Sequence, residues 1–314
     1  MDSSGLQKLA DRARAMREAG FALLFASGIL ALFFFIPSAT SKEPLSPADA
    51  ASTAPDAFAQ VPIEAQAAIV YDLATGETLY AKNADAQLPL ASLTKLLTIY
   101  AALVTLSPST PITIPAEATR LEGMRVFREG QIFALADLAR LTLTGSLNDG
   151  AFAIAEAAAA RQNLPQGAML AAAAAALGLS QTYAVNGSGL DVNTAIAGGY
   201  GSARDLALLA GVLVDRAPNI ATATTKSSAE AVSKGGTAFS VLNTDPMVGT
   251  IPQLLLSKTG YTDLAGGNLA LVFDAGVNHP IAVVVLGSSQ KARFTDGTVL
   301  VAAALAHFAG VASL

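Results

Sequence analysis

The stretch Ala91–Lys95, "ASLTK", runs directly into the apolar segment Leu96–Leu103, "LLTIYAAL". A serine and a lysine thus stand three residues apart at the head of a helix that otherwise has the composition of core. Residues i and i+3 share a helix face, so the Ser92 hydroxyl and the Lys95 amine can meet. A hydroxyl is a weak nucleophile until a base takes its proton. A lysine becomes such a base when burial lowers its pKa, and "LLTIYAAL" offers a desolvated setting. By itself the pair reads more simply as a capping serine with a snorkelling lysine. A serine three residues before a lysine occurs about once by chance in a chain of this size. The helix start is open between Ser92 as N-cap and the turn that precedes Ala91.

The rest of the chain narrows the chemistry. It has 314 residues, 52% of them apolar and 14% charged, with a formal net charge of -5. No basic field is available for nucleic acid, and aromatic residues are too few for stacking platforms. There is no cysteine, hence no thiol catalysis and no disulfide. The two histidines are separated, His279 before a proline in a turn and His307 late in a helix. A Ser-His-Asp triad and a metal centre are both poorly supplied. No glycine-rich loop has dinucleotide or Walker spacing. Neither cofactor nor metal is expected.

Two further segments carry polar groups suited to acyl transfer. Ser146-Leu147-Asn148 lies between two helical stretches and offers a hydroxyl and an amide, though both residues are ordinary helix caps. Lys258-Thr259-Gly260 ends the apolar run "QLLLS". It offers a cation and a hydroxyl to a carboxylate, and a glycine for close approach of a substrate backbone; it also reads as a plain strand-end turn.

Around these segments, Ala67–Asp72 and Glu77–Ala81 read as a hairpin across Ala74-Thr75-Gly76. Helices are expected over Leu135–Leu143, from Asn148 through "AFAIAEAAAA", over "GAMLAAAAAALG" to Gly178, and from Ser202, where Asp205 suggests a capping box. Asn268–Phe273 and Ile281–Gly287 read as strands, and Thr295–Phe308 as a closing helix. Strands at both ends with helices between predict an antiparallel sheet covered by helices, beside an all-helical lobe.

The N-terminus is organised differently. Residues 1–20 form a leader with Lys8, Arg12, Arg14 and Arg17. Phe21–Ile36, "FALLFASGILALFFFI", carries no charge and extends through residues 37–39. It is expected to be a transmembrane anchor or a cleaved signal peptide. The charge bias places the following chain outside the cytoplasm. Residues 40–60, rich in Ala, Ser and Pro, read as a flexible linker, leaving 61–314 as the folded domain.

The three motifs, in this order and with their flanks, resemble the penicillin-recognising serine enzymes with S-x-x-K, S-D-N and K-T-G signatures. Among these the chain resembles the low-molecular-weight D-alanyl-D-alanine carboxypeptidases. The flanks are "YDLATGETLYAKNADAQLPLASLTKLLT", "LTGSLNDGAFAIAE" and "KTGYTDLAGGNLALV", together with "NGSGLD" at Asn186–Asp191. The resemblance covers about Gln66 to Leu314. It implies an α+β fold of β-lactamase/transpeptidase type, with a five-stranded antiparallel sheet flanked by helices and an adjoining all-helical lobe. It implies Ser92 as nucleophile, Lys95 as general base, Ser146 as proton relay and Asn148 as an orienting amide. Lys258 and Thr259 would bind the terminal carboxylate beside Gly260, and the N–H groups of Ser92 and Tyr261 would form an oxyanion hole.

The implied substrate is a peptidoglycan stem peptide ending in D-Ala-D-Ala, with β-lactams as inhibitors. The implied place is the outer face of the bacterial plasma membrane, in periplasm or cell wall, anchored by the N-terminal segment or secreted. The alternatives are a β-lactamase, with Glu156 as the nearest candidate for a second base, and a non-catalytic wall-binding domain. The chain departs from the family pattern at several points. Leu147 stands in the middle of the second motif, and Leu170-Ala171 stand where Met-Asn is frequent. Ser257 precedes Lys258 where an apolar residue is usual, and Asn243-Thr244-Asp245 stands where the family normally reads Asn-Thr-Asn.

Overall fold

The computed structural model describes residues 56–310. The chain divides into two compact units, Met1–Thr53 and Ala54–Leu314, and the described residues belong to the second. The expected leader, the apolar segment and most of the linker lie outside the described residues. No helix among the described residues is long and apolar enough to cross a membrane.

The first hairpin is β1 (Ala67–Asp72) and β2 (Thr78–Lys82), followed by the short β3 (Leu88–Pro89) and helix α1 (Thr94–Leu103). A small ribbon, β4 (Pro111–Thr113) with β5 (Ile132–Ala134), leads into α2 (Leu135–Thr144), α3 (Asn148–Gln162) and α4 (Gln166–Ala176). Next come β6 (Tyr183–Ala184), β7 (Gly199–Gly201), α5 (Ala203–Arg216) and α6 (Pro218–Ala223). A second ribbon pairs β8 (Ser228–Val232) with β9 (Ala238–Leu242). The chain closes with β10 (Leu254–Thr262), β11 (Gly266–Asp274), β12 (Pro280–Ser288) and α7 (Ala292–Ala309).

The main sheet is five-stranded and antiparallel, in the order β10-β11-β12-β1-β2. It brings the two ends of the domain together, as the resemblance implied. Side chains alternate between the faces of a strand, and here both faces are covered. Ile69, Val272, Val284 and Leu286 join one core, with Leu206, Leu209 and Leu213 of α5. Val70, Leu271, Phe273 and Val283 join the other, with Leu300, Val301 and Ala304 of α7. Double coverage is why "IAVVVLG" is an unbroken apolar run.

The N-terminal border lies earlier than expected. Ala57 and Phe58, assigned to the linker from composition, are buried in the α7-side core. The Phe58 ring lies 5.8 Å from Tyr80 and 5.9 Å from His307. The capping box expected at α5 is half present. Ser202 Oγ accepts from the Asp205 N–H at 3.1 Å. The Asp205 carboxylate turns away, accepting from Gln181 N and Thr182 Oγ1.

Candidate active site

Ser92 is not a cap. A 3-10 turn, Ala91–Leu93, leads into α1, and neither start has a side-chain cap. The turn is entered through Ala91 at φ +48°, a left-handed conformation that costs a non-glycine residue about 1–3 kcal/mol. Its surroundings hold it there. Asn268, fully buried on β11, donates from Nδ2 to Pro89 O at 3.0 Å and accepts from Gly287 N at 2.8 Å. The "NGSGLD" loop presses from the other side. A Cβ on Gly189 would lie 1.9 Å from Ala91 O, and its φ is +76°, so only glycine fits.

Lys95 is fully buried. Its Nζ lies 2.7 Å from Ser92 Oγ, 2.8 Å from Asn148 Oδ1 and 2.7 Å from Ser188 O. The Asn148 amide is oriented by its other end, which donates to Glu122 O at 2.8 Å. Burial pulls the Lys95 pKa down to about 7, against the opposing charge of Asp149. A neutral amine has two N–H groups and one lone pair. Asn148 Oδ1 and Ser188 O only accept, so they take the two N–H groups. The lone pair is left facing the Ser92 hydroxyl, the arrangement a general base requires.

Asp149 braces this end of α3, accepting from Val126 N and Phe127 N at 3.1 Å each. Burial nevertheless pushes its carboxyl above the usual value. Ser146 sits at φ +55° in the turn between α2 and α3. It accepts from Lys258 Nζ at 2.8 Å, while Leu147 is buried in the core. Lys258 also donates to Thr259 O at 2.7 Å. Burial, and then the charges of Lys95 and Arg293, draw the Lys258 pKa well below its usual value, opposed by Asp245.

β10 is an edge strand that runs past the Ser92 turn. A Cβ on Gly260 would lie 3.0 Å from Leu90 O and 3.2 Å from Ser92 N, so a side chain there would crowd both segments. The Gly260–Tyr261 peptide therefore lies alongside the Ser92 N–H. Thr259 Oγ1 is 2.6 Å from Thr244 Oγ1. Tyr261 is half-exposed.

All three motifs thus meet at one place. Of the four polar side chains expected to work in catalysis, Lys95 links Ser92 and Asn148, while Ser146 is linked to Lys258, expected to bind substrate. Glu156 does not join them; it is exposed and accepts from Gln166 Nε2. Sequence reading missed Ser188, Asp149, Asp245 and Arg293. Ser188 contributes a backbone carbonyl, which has no residue-type signal. Among the described residues no cluster of His, Cys, Asp and Glu is suited to hold a metal ion.

A family model described as D-alanyl-D-alanine carboxypeptidase matches residues 51–290. The chain is 32% identical to the D-alanyl-D-alanine endopeptidase of Pseudomonas aeruginosa, over 81% of this chain and 83% of that protein. It is 29% identical to the D-alanyl-D-alanine carboxypeptidase DacC of Escherichia coli, over 86% of this chain but only 66% of that protein. Its fold is similar to penicillin-binding protein D2 of Listeria monocytogenes in its ampicillin-bound form. There the TM-score is 0.66 and the identity 28%, covering 78% of this chain and 98% of that one.

Proposed function

The chain belongs to the D-alanyl-D-alanine carboxypeptidase family and is a serine D-Ala-D-Ala carboxypeptidase, and on that premise we propose that Ser92 forms its acyl-enzyme. Neutral Lys95 takes the Ser92 proton as Oγ attacks the carbonyl of the penultimate D-alanine. The N–H groups of Ser92 and Tyr261 receive the developing oxyanion; one such donor is worth roughly 3 kcal/mol in acyl transfer. Ser146 relays a proton to the leaving D-alanine amine. Lys258 and Thr259 hold the terminal carboxylate, and Gly260 admits the peptide backbone. Water then releases the shortened peptide.

The observation that carries this reading is the Lys95 amine, 2.7 Å from Ser92 Oγ with its other two partners both acceptors. The proposed substrate is a peptidoglycan stem peptide ending in D-Ala-D-Ala, with β-lactams as inhibitors. The proposed setting is the outer face of the plasma membrane, with residues 21–39 as anchor or cleaved signal. The test is intact-mass analysis of the full chain with benzylpenicillin. A lasting adduct mapped to Ser92, and its loss in Ser92→Ala, is the expected result. An adduct retained by folded Ser92→Ala, or none on the folded wild type, overturns the assignment. An adduct that clears quickly with drug hydrolysis would instead mark a β-lactamase. The exposed position of Glu156 supports no second base for that route.

The Pseudomonas relative's name motivates a second reading, cleavage of cross-links. The acyl-enzyme is the same and only the leaving amine differs. D-alanine release from a pentapeptide, set against dimer cleavage, separates the two.

A further inference from the structure

On β10 and the loop beside it, Ser257 and Asp245 touch one another. Ser257 Oγ donates to Asp245 Oδ2 at 2.6 Å, and Met247 N donates to Oδ1 at 2.8 Å. Both residues are 2% exposed. The loop that carries Asp245 is itself pinned. Asn243 Nδ2 donates to Thr224 O at 2.7 Å and Lys226 O at 2.8 Å, and its Oδ1 accepts from Asp245 N at 2.9 Å. The loop runs beside β10 with two side-chain rungs, Thr244 to Thr259 and Asp245 to Ser257.

Around Lys258, buried cations exceed buried carboxylates. Lys95 from α1 is 0% exposed, Lys258 from β10 is 1% exposed and Arg293 from α7 is 8% exposed. Arg293 reaches across to Gly260 O at 2.5 Å. The acids are Asp149, next to Asn148 on α3, and Asp245, bonded to the residue that precedes Lys258 on β10; the charge of Asp149 favours the protonated form of Lys95, and that of Asp245 favours those of Lys258 and Arg293. Tyr261 is the other titratable neighbour of Arg293. A buried ammonium flanked by two cations persists only where an opposite charge offsets its lost hydration. We propose that Asp245, tethered by Ser257, is the buried counter-charge of Lys258 and Arg293, and thereby a positioning residue for recognition of the substrate's carboxylate. Asparagine at 245 would fill the same space without that charge.

This proposal rests on the assignment of Lys258 to carboxylate binding. The test uses the full chain and compares acylation by benzylpenicillin with acylation by its methyl ester across pH. The acid-to-ester rate ratio reports the cationic form of Lys258. Asp245→Asn keeps both hydrogen bonds, because the Ser257 hydroxyl can turn to accept, and removes only the charge. Its ratio should fall at a pH roughly one unit lower than in wild type, with the ester rate little changed. Asp245→Ser removes the same charge in a smaller volume, gives the same shift, and stands in if the asparagine variant does not fold. An unchanged midpoint in either folded variant overturns the proposal, as does an equal loss for acid and ester. Failure of wild type to acylate at Ser92 would refute the proposed function instead.

Discussion

As the proposed general base, Lys95 would set the pH range in which the site can work. Its amine titrates near pH 7 because burial disfavours the charged form. The base is protonated below that value and free above it, so acylation should fall about tenfold per pH unit below pH 7. The acylation rate constant measured against pH checks this. Lys95→Arg keeps a permanent cation and should lose about 10³-fold in acylation. Asn148→Ala removes the acceptor that directs the lone pair and the donor to Glu122 O. It should slow acylation about 100-fold and cost about 1–2 kcal/mol in urea unfolding. These positions were legible through the resemblance carried by the three motifs and their flanks, since the Ser92–Lys95 pair alone reads more simply as a cap with a snorkelling lysine. Ser188 was not, since any residue supplies the carbonyl that Lys95 uses. Asp245 was visible only as a departure, and its partner only became clear in the fold.

At the level of elements, the loop over Asn186–Asp191 holds the nucleophile turn in place. Gly189→Ala would drive a Cβ into Ala91 O, a backbone atom that cannot yield. Expected are a loss of about 3 kcal/mol or more and acylation reduced at least about tenfold, read by thermal melting and penicillin adduct rate. Ser202→Ala is the contrasting case. It removes the α5 cap and should cost about 1 kcal/mol with acylation by the folded protein unchanged. The long strands and helices were readable from sequence, most within a few residues, because apolar runs and glycine stops mark them. The ribbon β8–β9 escaped notice, although "SKGGT" is a usable turn signal and alternate residues of β8 are buried. Its strands are short and small-residue-rich, so their alternation is faint. Phe58 was misplaced because a lone aromatic in an Ala/Ser/Pro stretch gives no periodicity, yet one ring suffices to fasten the chain to α7.

In the described domain as a whole, the site and the Asp72–His279 contact lie at opposite ends of the sheet. Gly267, opposite Tyr261, pairs with Ser288 at one end, while Asp72 pairs with Ile281 at the other. There Asp72 Oδ2 meets His279 Nε2 at 2.6 Å, joining the β1–β2 turn to the β11–β12 turn. Burial opposes the Asp72 charge, but the His279 ring and the N–H groups of Thr75 and Ala74 hold its carboxyl below its ordinary 3.8. The stabilisation is therefore complete above that ordinary value and fades as pH falls through the lower folded one. Asp72→Asn should cost about 1–3 kcal/mol near neutral pH and flatten the acid side of the stability curve. Acylation by the folded variant should be unaltered, as thermal melts and adduct kinetics would show.

The place of β10 at the rim of the sheet also has a consequence in time. Strands β11, β12 and β1 are enclosed by neighbours on both sides, so deuterium should reach their amides only when the whole domain opens. β10 has a strand on one side alone, and its amides should exchange before theirs. The segment proposed to hold the substrate is thus, with β2 at the other rim, the part of the sheet expected to open before its interior. An acyl group on Ser92, bridging to the Tyr261 N–H, would close that gap, and the rim would then keep the slow clock of the interior.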